Sequence, residues 1–167
     1  MPELLAEVST LGHAPRVVAV YRRADLPLGA RDVVLALWKV SDPGNVGTIL
    51  RTADAFSAGV SLSPECADPT GPRALRASAG AIFRVPICSW DELPEQRVAL
   101  VAHGGAPLAG VTLAPPLAFM LGSEREGLPE ELLRGACTAS IPTPGAAESL
   151  NVAAAGAIAL YELARRS

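Results

Sequence analysis

Three stretches of this sequence place polar and charged side chains where an apolar run stops. The first, Ser41 to Phe56 (SDPGNVGTILRTADAF), turns through Pro43 and Gly44 and starts a helix near Asn45, with Arg51 and Asp54 further along. It is neither a P-loop nor a dinucleotide fingerprint, because it has no G-x4-G-K-[ST] and no GxGxxG. The second, Phe119 to Leu128 (FMLGSEREGL), ends an apolar run at Gly122 and follows with Ser123, Glu124 and Arg125. Glycine there lets a ligand approach the backbone, and the next three side chains supply donors and acceptors. In the third, Ile141 to Val152 (IPTPGAAESLNV), two prolines stiffen a loop that Gly145 lets turn, delivering Glu148, Ser149 and Asn151 to the head of the last helix. The chemistry open to such turns is ligand binding at the carboxyl ends of strands, where α/β folds place their sites.

Each feature also has a plain structural explanation. Arg51 can pair with Asp54, Asn45 and Ser149 can cap helices, and Glu126 or Glu130 can favour a helix N-terminus. Ser149 lacks the surroundings of a serine nucleophile: no GxSxG encloses it, and the only histidines are His13 and His103. His103 reads as a strand end rather than a base. No group of His, Cys and carboxylates has metal-ligand spacing, and Cys66, Cys88 and Cys137 stand too far apart for a disulfide framework.

The elements that position these turns alternate between strands and helices. Asp32–Val40 is a near-continuous apolar run, as for a strand covered on both faces. Further short runs at 59–62, 85–88, 97–102, 117–122 and 138–141 read as strands. Helical patterns occupy 44–58, 72–79, 129–135 and 149–166. This rhythm predicts an α/β fold with a mostly parallel sheet flanked by helices. The last helix is apolar nearly all round from Val152 to Leu160, so it needs cover on two sides: the sheet and, on our expectation, a second subunit.

At 167 residues the chain has the size of one domain, and half of it is hydrophobic, which excludes disorder. No apolar run reaches a membrane-spanning length, and MPELLAEVST lacks the basic start of a signal peptide, so a cytoplasmic protein is expected. The net charge of −3 argues against a nucleic-acid binder, yet 13 of the 14 cations are arginine. From Pro69 to Trp90 there is no acid, while Arg73, Arg76 and Arg84 all lie there.

Together, in this order and spacing, the three stretches resemble the motifs of the SpoU (TrmH-like) family of RNA ribose 2′-O-methyltransferases, of the SPOUT class. DPGNVGTILRTADAF is similar to its first motif, LGSEREGL to its second and IPTPGAAESLNVAAAGAIALYE to its third. The resemblance implies a C-terminal trefoil knot, S-adenosylmethionine as cofactor, a homodimer through the last helix, and rRNA or tRNA as substrate, with no metal and no DNA. Carried across residue by residue, it implies that Ala102, Gly122, Ile141 and Leu150 hold the cofactor. It assigns Asn45, Arg51, Glu124, Ser149 and Asn151 to catalysis and RNA placement, and Arg73, Arg76 and Arg84 would then hold the RNA backbone. Relatives often carry an RNA-binding domain in front; residues 1–30 look like the tail of one, and 31–167 like the methyltransferase domain.

The implied reaction is attack of a ribose 2′-hydroxyl on a sulfonium methyl group, in which positioning supplies much of the rate. A guanidinium stays charged in proteins, so Arg51 is expected to clamp the target phosphate and stabilise the forming alkoxide rather than act as a base. Proton removal then falls to water, or to Glu124 if RNA brings it close.

Overall fold

The computed structural model describes residues 17–166; the start of the expected N-terminal segment, His13 included, lies outside the described residues. Seven strands and four α-helices follow in order: β1 (Val33–Leu37), α1 (Pro43–Ala55), β2 (Gly59–Leu62), α2 (Pro72–Ser78), β3 (Ile87–Cys88), β4 (Gln96–Leu100), β5 (Ala106–Pro107), β6 (Leu117–Leu121), α3 (Glu130–Arg134), β7 (Cys137–Ser140) and α4 (Val152–Arg166). The strands form one sheet in the order β3-β2-β1-β6-β4-β7-β5, every pair parallel. The expected α/β class holds.

Alternation within the central strands sorts side chains to two faces. Leu35, Leu37, Phe119 and Leu121 join a core with α1 and α4, while Val34, Ala36, Ala118 and Met120 face a smaller one. The smaller core is closed by Leu93, Leu128, Leu132 and Leu133 and by the edge-to-face pair Trp38–Trp90. The sheet is therefore covered on both sides, as the unbroken apolar run of β1 requires.

Several boundaries move by a few residues for local reasons. β1 stops short of Val40 because Lys39 takes a left-handed backbone (φ 51) and donates its N–H to Ser63 Oγ at 2.9 Å. α1 starts at Pro43 because the Asp42 carboxylate accepts the Asn45 N–H at 3.0 Å, a proline following the cap as helices prefer. The last helix starts at Val152 rather than Ser149: Asn151 Oδ1 accepts the N–H groups of Ala153 (2.9 Å) and Ala154 (3.3 Å). Neither Asn45 nor Ser149 is the cap that its position suggested.

Between β4 and β5 the chain crosses over β7. A Cβ on Gly105 would lie 2.7 Å from the Ala139 carbonyl carbon and 2.9 Å from the Ser140 nitrogen, so only glycine allows this contact. Ser140 Oγ donates to the Gly105 carbonyl at 3.0 Å across it. β7 thus lies between β4 and β5, the two strands that residues 101–105 join, although it follows them by thirty-odd residues.

Candidate active site

Four loops meet at the carboxyl rim of the sheet, following β1, β4, β6 and β7. Three of them enclose a cavity of about 650 Å³. One wall is Leu100–His103, a second is the hairpin from Leu121 to Leu128, and the third combines Ile141 and Thr143 with Glu148–Val152 and Ala155. Ala102, Gly122, Ile141 and Leu150 all line this one space, although in the chain the second lies 20 residues after the first, the third 19 after the second and the last 9 after the third. The hairpin is tight because Ser123 and Gly127 exchange backbone hydrogen bonds at 3.2 and 3.1 Å. A side chain at 122 would meet the returning strand, its Cβ 2.5 Å from both the Gly127 carbonyl oxygen and the Leu128 nitrogen.

The residues fit a nucleoside-bearing methyl donor. Leu100, Leu121, Ile141, Leu150 and Val152 give an apolar floor, and carboxylates stand at Glu124, Glu126 and Glu148. Within the described residues no backbone hydrogen bond ties down Thr143 to Leu150, so the amide groups of that wall are free to meet a polar ligand. A cavity that pairs an apolar part with several convergent polar groups suits a ligand that is itself part apolar and part charged.

Glu124, Ser149 and Asn151 also line the cavity. Asn45 does not, but it joins the other two loops: its Nδ2 donates to Glu124 Oε1 at 2.9 Å, and its Oδ1 accepts from Asn151 Nδ2 at 3.0 Å. The Glu124 carboxylate further accepts the N–H groups of Ser41 and Asp42, both at 3.3 Å, and the Ser41 hydroxyl at 3.4 Å. Burial pushes the Glu124 carboxyl up, but these donors, Asn45 foremost, outweigh it and hold the group below the usual carboxylate range. A carboxylate so held is a weak base and a strong tie between loops.

Arg51 is not brought to the cavity. It lies on α1 two turns beyond Asn45, ~9 Å along the axis at 1.5 Å per residue, exposed and opposite the buried stripe of Val46, Ile49, Leu50 and Ala53. Asp54 is not its partner: Arg84 forks onto that carboxylate, with its closest contact at 2.6 Å. Arg84, expected to be free for RNA, is thus engaged, and Arg73 stands 3.5 Å from Asp42. Arg76 is exposed on α2, with no ion pair among the described residues. His103 lies past the end of β4, on the cavity wall. Sequence reasoning missed Ser41 and Asp42, which hold Glu124; the run S-D-P-G-N, a capping residue before proline, was the available signal.

Residues 32–161 match the model of the SpoU rRNA Methylase family. The chain is 37% identical over 144 residues to the uncharacterized tRNA/rRNA methyltransferase of Synechocystis sp., covering 79% of this chain and 53% of that protein. It is 33% identical over 159 residues to the 23S rRNA (guanosine(2553)-2'-O)-methyltransferase RlmP of Bacillus subtilis, covering 89% and 64%. Among solved structures, the SpoU methyltransferase AviRb from Streptomyces viridochromogenes in complex with the cofactor AdoMet superposes with a TM-score of 0.81 at 27% identity, covering 99% of this chain and 71% of that one. The AdoMet-bound rRNA methyltransferase from Sinorhizobium meliloti gives a TM-score of 0.75 at 36% identity, covering 85% and 59%. The chain thus spans between about half and two thirds of the length of these curated relatives. Motif order, strand order and the converging loops agree with the family match: the chain belongs to the SpoU rRNA methylase family.

Proposed function

We propose that this chain transfers a methyl group from S-adenosylmethionine to the 2′-hydroxyl of a ribose in structured RNA, rRNA or tRNA. The observation that carries the reading is the convergence of Ala102, Gly122, Ile141 and Leu150 on one cavity, with Glu124, Ser149 and Asn151 on its walls. The cofactor supplies an electrophilic sulfonium methyl. Gly122 and the unspent amides of 143–150 hold the donor, and residues 31–167 form the domain that does so.

Asn45 and Asn151, linked to each other and to Glu124, fix the mouth of the cavity and present amide and hydroxyl groups to a ribose, with Ser149 beside them. Glu124 positions the first-motif loop rather than taking the proton, which leaves to water. Fixed dipoles of this kind stabilise the forming alkoxide without having to reorient. Arg76 and Arg73 meet the RNA backbone, and Arg84 joins them only where phosphate displaces Asp54.

Two copies pair through α4. Its outer face leaves Ala154 exposed, with Ile158 at 37% and Tyr161 at 59%, an apolar strip left uncovered among the described residues. Arg51 belongs to the outer surface of the neighbouring α1, so in such a dimer it faces the second copy rather than its own cavity. The test is transfer of tritiated methyl from S-adenosylmethionine to total RNA, followed by nucleoside digestion and mass spectrometry. A 2′-O-methylnucleoside is expected; a methyl on a base, or cofactor binding without transfer, would overturn the reading.

A further inference from the structure

The last helix ends on a contact that methyl transfer does not use. Arg166 Nη1 donates to the Val111 carbonyl at 2.6 Å, and Nη2 to the Leu108 carbonyl at 2.8 Å. Glu162 holds the same guanidinium from the other side, its Oε1 accepting Nε at 2.8 Å and Nη2 at 2.6 Å. Arg165 forks onto that carboxylate as well. Held first by Arg165 and then by Arg166, the Glu162 carboxyl is pulled down to about 2 and stays charged at any ordinary pH. With side-chain exposures of 25% and 14%, Arg166 and Glu162 form the most enclosed ion pair among the described residues.

The two partners of this clip are two of the cavity's three walls, followed to their far ends. Leu108 and Val111 continue from Val101–His103, through the Gly105 crossing and β5. Arg166 continues from Leu150–Val152 and Ala155, through α4. Both segments run from the carboxyl rim of the sheet to its opposite edge, where Gln96, the first residue of β4, donates to the Thr112 carbonyl at 2.8 Å. Between rim and edge, Leu108 and Val111 share one core with Leu160 and Leu163. Their shared core holds the two segments along their length, and the fork adds a fixed point at the far end.

We infer that Arg166 is a positioning residue for the donor cavity: its fork joins the Leu108–Val111 segment to α4 and so sets the spacing of the walls about 20 Å away, a helix of this length rising 1.5 Å per residue. Only the ligand's identity rests on the methyl-transfer reading; the clip does not. Without it, a smaller fraction of molecules has its walls at the binding distance, and the apparent dissociation constant rises by the inverse of that fraction.

The experiment compares the unaltered chain with Arg166→Ala, Arg166→Lys and Glu162→Gln by amide hydrogen exchange without ligand and by calorimetry with S-adenosylmethionine. Arg166→Ala is expected to lose protection across 101–111 and to bind the donor at least tenfold more weakly. Lysine reaches one carbonyl rather than two, so Arg166→Lys should recover part of both. Glu162→Gln frees the fork to swing and should weaken binding in the same direction. A lowered melting temperature with donor affinity within twofold would make Arg166 a mere staple and overturn the inference, as would unchanged exchange. Should Arg166→Ala not fold, the lysine and glutamine variants decide by the same readouts. Failure of the unaltered chain to bind S-adenosylmethionine would sink the functional reading instead, and the exchange comparison would still decide the clip.

Discussion

One added methyl group tests whether the hairpin after β6 is a wall of the donor site. A Cβ at residue 122 would stand 2.5 Å from the Gly127 oxygen and the Leu128 nitrogen. Non-bonded heavy atoms rest about 3.5 Å apart, so the returning strand must retreat by roughly 1 Å. Leu128 is rooted in the smaller core and β6 is paired on both sides, which leaves residues 123–127, Glu124 among them, as the part that moves. Overpacking of this kind costs about 1–3 kcal/mol, and a misplacement of about 1 Å at a positioning site costs roughly a hundredfold. Gly122→Ala should therefore raise the dissociation constant for S-adenosylmethionine roughly 10–100-fold by calorimetry, with the circular dichroism spectrum kept. Gly135→Ala, outside the cavity lining, is the control: its Cβ would have nothing within 4 Å, so affinity should stay within about twofold. Full affinity in Gly122→Ala would show that the hairpin yields freely, and the cavity would lose its claim to grip the donor.

Arg51 stands away from its own cavity and, in the proposed dimer, toward the second copy, so Arg51→Ala should lower methyl transfer to RNA while donor affinity stays within a few-fold; equal loss of both would make Arg51 structural. The depressed Glu124 carboxyl gives a signed pH dependence: its contribution is present above the usual value of 4.5 and lost as pH falls through the lower folded value. Donor affinity should accordingly be flat from about pH 6 to about pH 9 and fall only in acid, a fall that Glu124→Gln removes. Ile158→Asp should give monomers by sedimentation, whereas Ala159→Asp, at a fully buried position, should unfold the chain. Replacing Arg76 with alanine should flatten the salt dependence of RNA affinity by about one counterion, and replacing Arg84 by less, because Asp54 already neutralises it.

Much of the fold was legible because its central strands are covered on both faces. Val33–Leu37 and Leu117–Leu121 have no polar interruption, and parallel neighbours follow from helices between them. β5 was not legible: two residues at the sheet edge, one of them proline, carry no periodicity. The placing of Leu150 beside Gly122 depends on β7 inserting between β4 and β5, a matter of strand order that no local pattern encodes. The end of the last helix misled in a specific way. Ala155 and Ala159 look like interface positions in a sequence without a polar face, yet Ala159 is fully buried against this chain's own core. The uncovered strip runs instead through Ala154, Ile158 and Tyr161.

The proposed RNA substrate sets an acidic chain against a polyanion, and the ion pairs bear on how the two could meet. Carboxylates hold Arg22, Arg23, Arg84, Arg134, Arg165 and Arg166, as well as the single lysine, Lys39. Net charge counts these cations in full, though their fields are largely cancelled where they stand. Five arginines have no such partner among the described residues; Arg31 and Arg97 donate to backbone carbonyls, which leaves Arg51 on α1, Arg76 on α2 and Arg125 in the cavity hairpin. Each lies on an element that follows or flanks a motif loop, whereas the neutralised pairs include the far end of α4 and the edge near Arg22. With exposed charges screened beyond about 8–10 Å in physiological salt, an RNA phosphate bound as proposed would respond to whichever unpaired arginine stands near it and hardly at all to the net charge of −3.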